Sequence, residues 1–178
     1  MLLDRLQIEF ICESPNIDEQ YKKNEEIEDY VARLAQEKAK QIMPNHPNSI
    51  IIGSDQALEC DGKILSKPEN HENAKKQLAS MSGKSLVFYT GLSVLNTTTN
   101  ASQNDVIQYR VCFRNLNEVE IEDYLNKEQP YQCAGSFMSE KLGISLLSKM
   151  EGDDPTALVG LPLIRLSQML RNEGIKLP

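Results

Sequence analysis

Six residues of this 178-residue chain have the types and settings to do chemistry together: Asp55 with Gln56 beside it, Lys38, Lys67, Glu19 and Glu140. Asp55 follows Ser49-Ile50-Ile51-Ile52-Gly53, whose consecutive isoleucines read as a short, fully buried strand. Gly53 is expected to break that strand and leave the carboxylate just beyond its end, where open α/β sheets gather their ligand sites. The alternative is a turn or capping aspartate. Lys38 continues an apolar helical stripe of Ile27, Tyr30, Val31 and Leu34. Such a lysine is most often a boundary residue with its stem buried and its head in water; the other reading is a cation aimed into a cleft. Lys67 before Pro68, Asp18-Glu19 in an acidic stretch, and Glu140 would each by default be solvated surface. Taken together, these acids and lysines suit one chemistry. A divalent cation takes hard oxygen ligands, and a polyphosphate takes point positive charges on its non-bridging oxygens.

The elements that must position them are partly punctuated by local signals. Met1 to Leu6 resembles the last turns of a helix, followed by a strand at Ile8 to Cys12. Asn24 is placed to cap a long helix with Glu25, Glu26 and Glu28 in its first turn, ended by Pro44 and Pro47. Asp61-Gly62 marks a hairpin turn, and a helix through Ala74, Leu78 and Met81 stops at Gly83. Ser85 to Leu95 reads as a strand, Asn96 to Asp105 as a polar loop, and Ile107, Tyr109, Val111 and Phe113 as one face of a further strand. Asn117 with Glu120 makes a capping box. Gly135 to Leu147 mixes Gly-rich loop and strand. A last helix carries Pro162 near its start, Leu163, Leu166 and Leu170 on one side, and Gly174 at its stop. This alternation predicts a single α/β domain over residues 1–178, with a central mixed, largely parallel sheet flanked by helices.

Composition narrows the function classes. A net charge of −7 argues against a general affinity for nucleic acid polymers, but not against one nucleotide held by a few focused cations. Cys12, Cys60, Cys112 and Cys133 are far apart with no C-x-x-C pair, which argues against a zinc site or redox dithiol. No segment has the length and apolarity of a membrane span or a secretory signal, so a cytoplasmic protein with reduced thiols and no membrane partner is expected. Gly83-Lys84-Ser85 imitates the end of a P-loop, but Leu78 occupies the position of that motif's first glycine, and the run closes a helix where a P-loop opens one. His46 and His71 sit in polar surroundings and read as surface residues.

Several segments, in order along the chain, resemble the Maf family of nucleoside triphosphate pyrophosphatases. They are Asp18-Glu19, Leu34-Ala35-Gln36-Glu37-Lys38-Ala39, Ile52-Gly53-Ser54-Asp55-Gln56, Asp61-Gly62 through Lys67-Pro68, Tyr89-Thr90-Gly91, Phe113-Arg114 and Val159-Gly160-Leu161-Pro162. Gly53-Ser54-Asp55-Gln56, Cys133-Ala134-Gly135-Ser136-Phe137 and Gly152-Asp153-Asp154-Pro155-Thr156 resemble the subfamily that hydrolyses 7-methyl-GTP. The resemblance implies cleavage between the α and β phosphates to a monophosphate and pyrophosphate. It implies Asp55 as proton acceptor for the attacking water, Lys38 and Lys67 on phosphate, and Glu19 with Asp55 on a divalent metal, Mg²⁺ or Mn²⁺. Gln56 and Glu140 fall where base preference is set; a carboxylate beside 7-methylguanine would face a cationic base. A homodimer is implied by analogy. The rival reading is a weakened or inactive nucleotide-binding, regulatory relative linked to cell division.

The chain departs from the family pattern at its start. Family members open with a strand and a Ser-x-Ser-Pro-x-Arg loop before the first helix, and Met1-Leu2-Leu3 aligns inside that helix. A start placed at an internal methionine is the favoured expectation, with a shortened or weakened protein as the alternative. Ser66 stands where the family has glycine before Lys67-Pro68.

Overall fold

A computed structural model describes all 178 residues. Five strands, β1 (Ile50–Cys60), β2 (Lys63–Leu65), β3 (Ser85–Asn96), β4 (Ala101–Phe113) and β5 (Leu147–Glu151), form one sheet in the order β2-β1-β3-β4-β5. Four helices accompany it: α1 (Ile27–Ile42), α2 (His71–Met81), α3 (Glu118–Glu128) and α4 (Leu163–Asn172). The α/β class is as expected, but the strand directions are not.

Neighbouring strands run antiparallel. Cys60 pairs Lys63 across the Asp61-Gly62 turn, and Arg110 pairs Glu151 between β4 and β5. Ser49, just before β1, meets Thr97, just after β3, and Gln56 within β1 meets Thr90 within β3, so the two run in reversed order. Residues 97–100 join β3 to β4, a connection too short for the crossover that a parallel pair needs. Asp61 and Gly62 both have positive φ, at 52° and 74°, which suits a two-residue hairpin whose twist matches that of its strands.

The chain divides into two compact units, and β1, β3 and β4 each contribute a stretch to both. The first contains residues 1–56, 89–107 and 154–178. Here Leu92 and Val94 of β3 pack on Leu163, Leu166, Met169 and Leu170 of α4, while Ile51 and Leu95 pack on Ala39 of α1. The second contains residues 57–88 and 108–153. Its core joins Leu58, Leu78, Met81 and Leu125 with Phe88 and Phe113, whose rings meet Phe137 at 5.8 and 5.4 Å between centroids.

Several boundaries moved. Gly53 does not end the first isoleucine strand; β1 runs on to Cys60, so Asp55 lies within a strand. Ile8 to Cys12 forms no strand, and α1 begins at Ile27 behind Glu26, with Asn24 in a left-handed turn at φ 61°. The polar stretch from Ala101 to Asp105 is strand rather than loop. Asn96 turns the chain by accepting from the amides of Thr98 and Thr99 at 3.0 and 3.3 Å, and Gln103 is tied to the Met169 carbonyl at 3.0 Å. Asn117 and Glu120 make the expected capping box.

Asp154 is the polar hub of α4. Its side chain is 3% exposed and accepts from Thr156 Oγ1 at 2.6 Å and from the amides of Thr156, Ile164 and Arg165 at 3.1, 2.7 and 3.3 Å. Pro162, at the cap position itself, offers no side-chain acceptor, so a carboxylate from upstream satisfies the first-turn amides. Asp154→Ala leaves those donors and the Thr156 hydroxyl without that acceptor. It should cost about 3 kcal/mol, read as a drop of roughly 6–12 °C in thermal midpoint. A calorimetric shift below about 2 °C would mean that α4 is held by its apolar face alone.

Candidate functional site

In the first unit, side chains alternate between the two faces of β1. Ile51, Gly53 and Asp55 face α1; Ile52, Ser54 and Gln56 face away from it. Gly53 earns its place by contact, not by turning the chain: a Cβ there would run into the carbonyl oxygen of Ala35. Gly91 on β3 is the same kind of position, since its Cβ would collide with the carbonyl of Val31. Two glycines on the neighbouring strands β1 and β3 thus let the α1 backbone lie close on the sheet, with Val31, Leu34, Ala35 and Ala39 buried beneath it.

That close approach delivers Lys38 to Asp55. Lys38 Nζ lies 2.6 Å from Asp55 Oδ1 and 2.8 Å from Glu19 Oε1. The Lys38 and Asp55 side chains are 21% and 12% exposed, whereas Glu19, at 56%, closes the cluster from the solvent side. Burial disfavours the Lys38 ammonium, but its hydrogen bonds and charge pairing with Asp55 and Glu19 outweigh this and hold its pKa above the ordinary lysine value. Lys38 is therefore a cation held between two acids, not a snorkelling boundary residue.

Glu19 belongs to a segment without regular structure, and α1 grips that segment by its backbone. Tyr30 donates to the Glu19 carbonyl at 3.0 Å, and Arg33 donates to the Gln20 carbonyl at 3.1 Å. Arg33 also forks onto both carboxylate oxygens of Glu25 at 2.6 and 2.9 Å. The guanidinium holds the Glu25 carboxyl down to about 2, so this latch keeps its charges through the neutral range. Burial, and then the charges of Asp55 and Glu19, raise the Tyr30 phenol pKa. Neither Tyr30 nor Arg33 stood out in the sequence as a site residue. The available signal was Arg33 four residues before Glu37, on the helix that carries Lys38.

Gln56 points the other way. Its amide donates to Thr90 Oγ1 at 3.0 Å and to the Ala157 carbonyl at 2.7 Å, and Thr90 itself donates to Ala157 at 2.9 Å. Ser54 Oγ lies 2.8 Å from the Gly91 carbonyl and 2.9 Å from that of Gly160. Side chains of β1 and β3 thereby pin residues 157–160. Asp55 and Gln56, adjacent in sequence, serve opposite faces of the strand.

In the second unit, Lys67 lies in the connection from β2 to α2. Gln77 donates to the Ser66 carbonyl at 2.8 Å, Asn73 to the Pro68 carbonyl at 3.0 Å, and the Glu69 amide to Tyr131 at 2.9 Å. Glu140 is exposed in the stretch between Phe137 and a short 3₁₀ turn at Leu142–Leu146. Both lie within electrostatic reach of Cys133. Burial raises the thiol pKa first, Glu140 adds to the rise, and Lys141 and Lys67 oppose it. In the second unit Lys67 and Glu140 thus both act electrostatically on the Cys133 thiol, and the first unit gathers Glu19, Lys38 and Asp55. His46 and His71 belong to neither group; they pair with Glu13 at 2.6 Å and Glu122 at 2.8 Å.

The donor set suits a hard divalent cation in one specific manner. Two carboxylates, Asp55 and Glu19, converge on one point, and nowhere do three or more His, Cys, Asp or Glu side chains gather to hold a metal. That matches Mg²⁺ or Mn²⁺ bound by one or two carboxylates and completed by water and substrate phosphate, rather than an all-protein cage. No helix is long and apolar enough to cross a membrane.

The family model for Maf-like proteins matches residues 1–173. The chain is 52% identical over 174 residues to the 7-methyl-GTP pyrophosphatase of Methylobacillus flagellatus, covering 98% of this chain and 91% of that protein. It is 51% identical over 174 residues to that of Colwellia psychrerythraea, covering 98% and 87%. It is 49% identical over 177 residues to that of Pseudomonas savastanoi pv. phaseolicola, covering 99% and 92%. With nearly all of its length matched on both counts, this chain belongs to the Maf-like protein family.

Proposed function

We propose that the protein is a nucleoside triphosphate pyrophosphatase whose preferred substrate is 7-methyl-GTP. The relatives' shared activity over almost the whole chain supports the substrate class. The convergence of Lys38, Asp55 and Glu19 on one face of β1 supports the chemistry and is the observation that carries the reading. Water attacks the α-phosphorus in line with the leaving group. The P–O bond to the β-phosphate breaks, and its electron pair leaves with pyrophosphate. Most of the rate comes from alignment and charge neutralisation. Asp55 takes the proton of the attacking water. Lys38 and Lys67 place positive charge on non-bridging oxygens. Glu19 and Asp55 would hold Mg²⁺ or Mn²⁺, which when bound offsets charge on the phosphates. Glu140 faces the cationic methylated base, and Gln56 influences base preference through its neighbours.

The test is pyrophosphate release from 7-methyl-GTP, GTP, dTTP and UTP by the 178-residue chain with Mg²⁺ or Mn²⁺, alongside Glu140→Gln. Turnover should favour 7-methyl-GTP, and the variant should lower the 7-methyl-GTP to GTP ratio by about two- to fivefold, the worth of one solvent-exposed charge contact. Nucleotide-dependent stabilisation without pyrophosphate release would instead identify a binding protein. An unchanged ratio in the variant would remove Glu140 from base recognition.

A further inference from the structure

The Lys38 ammonium occupies the point on which the Asp55 and Glu19 carboxylates converge, at 2.6 and 2.8 Å, and that is the point at which a divalent cation bound by the same two acids would sit. The Lys38 side chain is mostly buried and pairs with both carboxylates at once. No third acid, histidine or thiol joins the cluster, so the protein alone supplies a fraction of a hard cation's ligands. A metal arriving alone would have to displace a cation from its two partners and leave a mostly buried ammonium beside a doubly charged ion. A polyphosphate removes both obstacles, because its oxygens complete the metal's coordination and give the ammonium a new anionic partner.

We propose that Lys38 is a built-in placeholder that keeps free metal off the Asp55–Glu19 pair, and that metal is admitted only with a polyphosphate that draws the lysine away. This rests on the reading of Asp55 and Glu19 as the metal-holding acids, and deepens it by making metal binding conditional on nucleotide. Lys38 then has two successive partners, the carboxylates in the free protein and phosphate in the complex. The Tyr30 and Arg33 grip on the Glu19 segment keeps the second acid in place while the exchange occurs.

The experiment is a Mn²⁺ titration of the full chain followed by the electron paramagnetic resonance of the unbound ion. It compares the wild type, Lys38→Met, Lys38→Gln and Lys38→Arg without nucleotide, and the wild type with a non-hydrolysable α,β-methylene GTP analogue. Without nucleotide, Lys38→Met and Lys38→Gln should bind Mn²⁺ at least about tenfold more tightly than the wild type, as expected for losing a competing like charge at contact range. Lys38→Arg keeps the charge and should stay weak. The wild type should become tight only when the analogue is present, by more than the Mn²⁺ that the analogue alone takes up. Equal affinity of wild type and both neutral variants without nucleotide overturns the placeholder role. Adding Glu19→Gln to Lys38→Met separates the two levels. Loss of Mn²⁺ binding in that double variant supports the metal-holding pair, whereas unchanged binding there overturns that pair and the proposal with it.

Discussion

Asp55→Asn should lower the turnover number on 7-methyl-GTP by 10²- to 10⁴-fold, roughly the range that a positioned general base supplies. The change keeps the side chain's shape on β1 but removes the carboxylate proposed to accept the proton, and it takes one of the two acids from Lys38. On the proposed reading the nucleotide should still bind, because Lys38 and Lys67, the residues proposed to hold phosphate, keep their charges in the variant. The loss therefore belongs in kcat, with KM changed only a few-fold, as expected when an interaction needed in the transition state is removed. Steady-state release of pyrophosphate, with thermal unfolding as a check on the fold, reads both. A variant within threefold of wild type would move the proton-accepting role away from Asp55. A proportional loss in KM alone would make Asp55 a binding group.

How much of this site was readable in the sequence depends on the distance over which each part is determined. Hairpin and capping signals act within a few residues, so Asp61-Gly62 and the Asn117–Glu120 box are where they were expected. The position of Lys38 on the buried stripe of α1 was legible for the same reason. Strand direction is a property of partners and connections, which a run of isoleucines does not encode. A largely parallel sheet was therefore expected where neighbouring strands are antiparallel, and the strand-end argument for Asp55 rests on a strand end that the fold does not have, because β1 runs on to Cys60. Gly53 was misread because a glycine that turns the chain and a glycine that admits a helix look alike locally. Only Ala35, eighteen positions upstream, distinguishes them. Polar residues 101–105 form a strand because α4, far along the chain, supplies partners for Gln103. The backbone grip of Tyr30 and Arg33 on Glu19 and Gln20 was invisible for a similar reason: carbonyl acceptors carry no residue signature.

The two contact glycines give the other large expected effect, one that links fold stability to the chemistry. Gly53→Ala adds a methyl group where the Ala35 carbonyl already lies, with the Ala39 side chain and amide close by, and neither the strand nor a helix backbone yields as a side chain would. Overpacking of this kind typically costs 1–3 kcal/mol, and the backbone nature of the clash argues for about 3. For a chain of this size that is a fall of roughly 6–12 °C in thermal midpoint, out of a net stability of only 5–15 kcal/mol. Gly91→Ala, which meets the Val31 carbonyl, should cost a similar amount. Activity should separate them. Gly53 lies two residues from Asp55 on the same face of β1, under the turn of α1 that leads to Lys38, whereas Gly91 meets the helix about one turn earlier, at Val31. A displacement of α1 at Gly53 stretches the 2.6 Å Lys38–Asp55 contact directly. At a temperature where both variants are fully folded, Gly53→Ala should therefore lose at least about tenfold more kcat than Gly91→Ala, since misplacement by about an ångström can cost a hundredfold. Equal losses would mean that α1 moves as one rigid body and that the glycines set its distance but not the geometry of the site. An unshifted melting temperature in both would mean that the helix rides higher on the sheet than these contacts require.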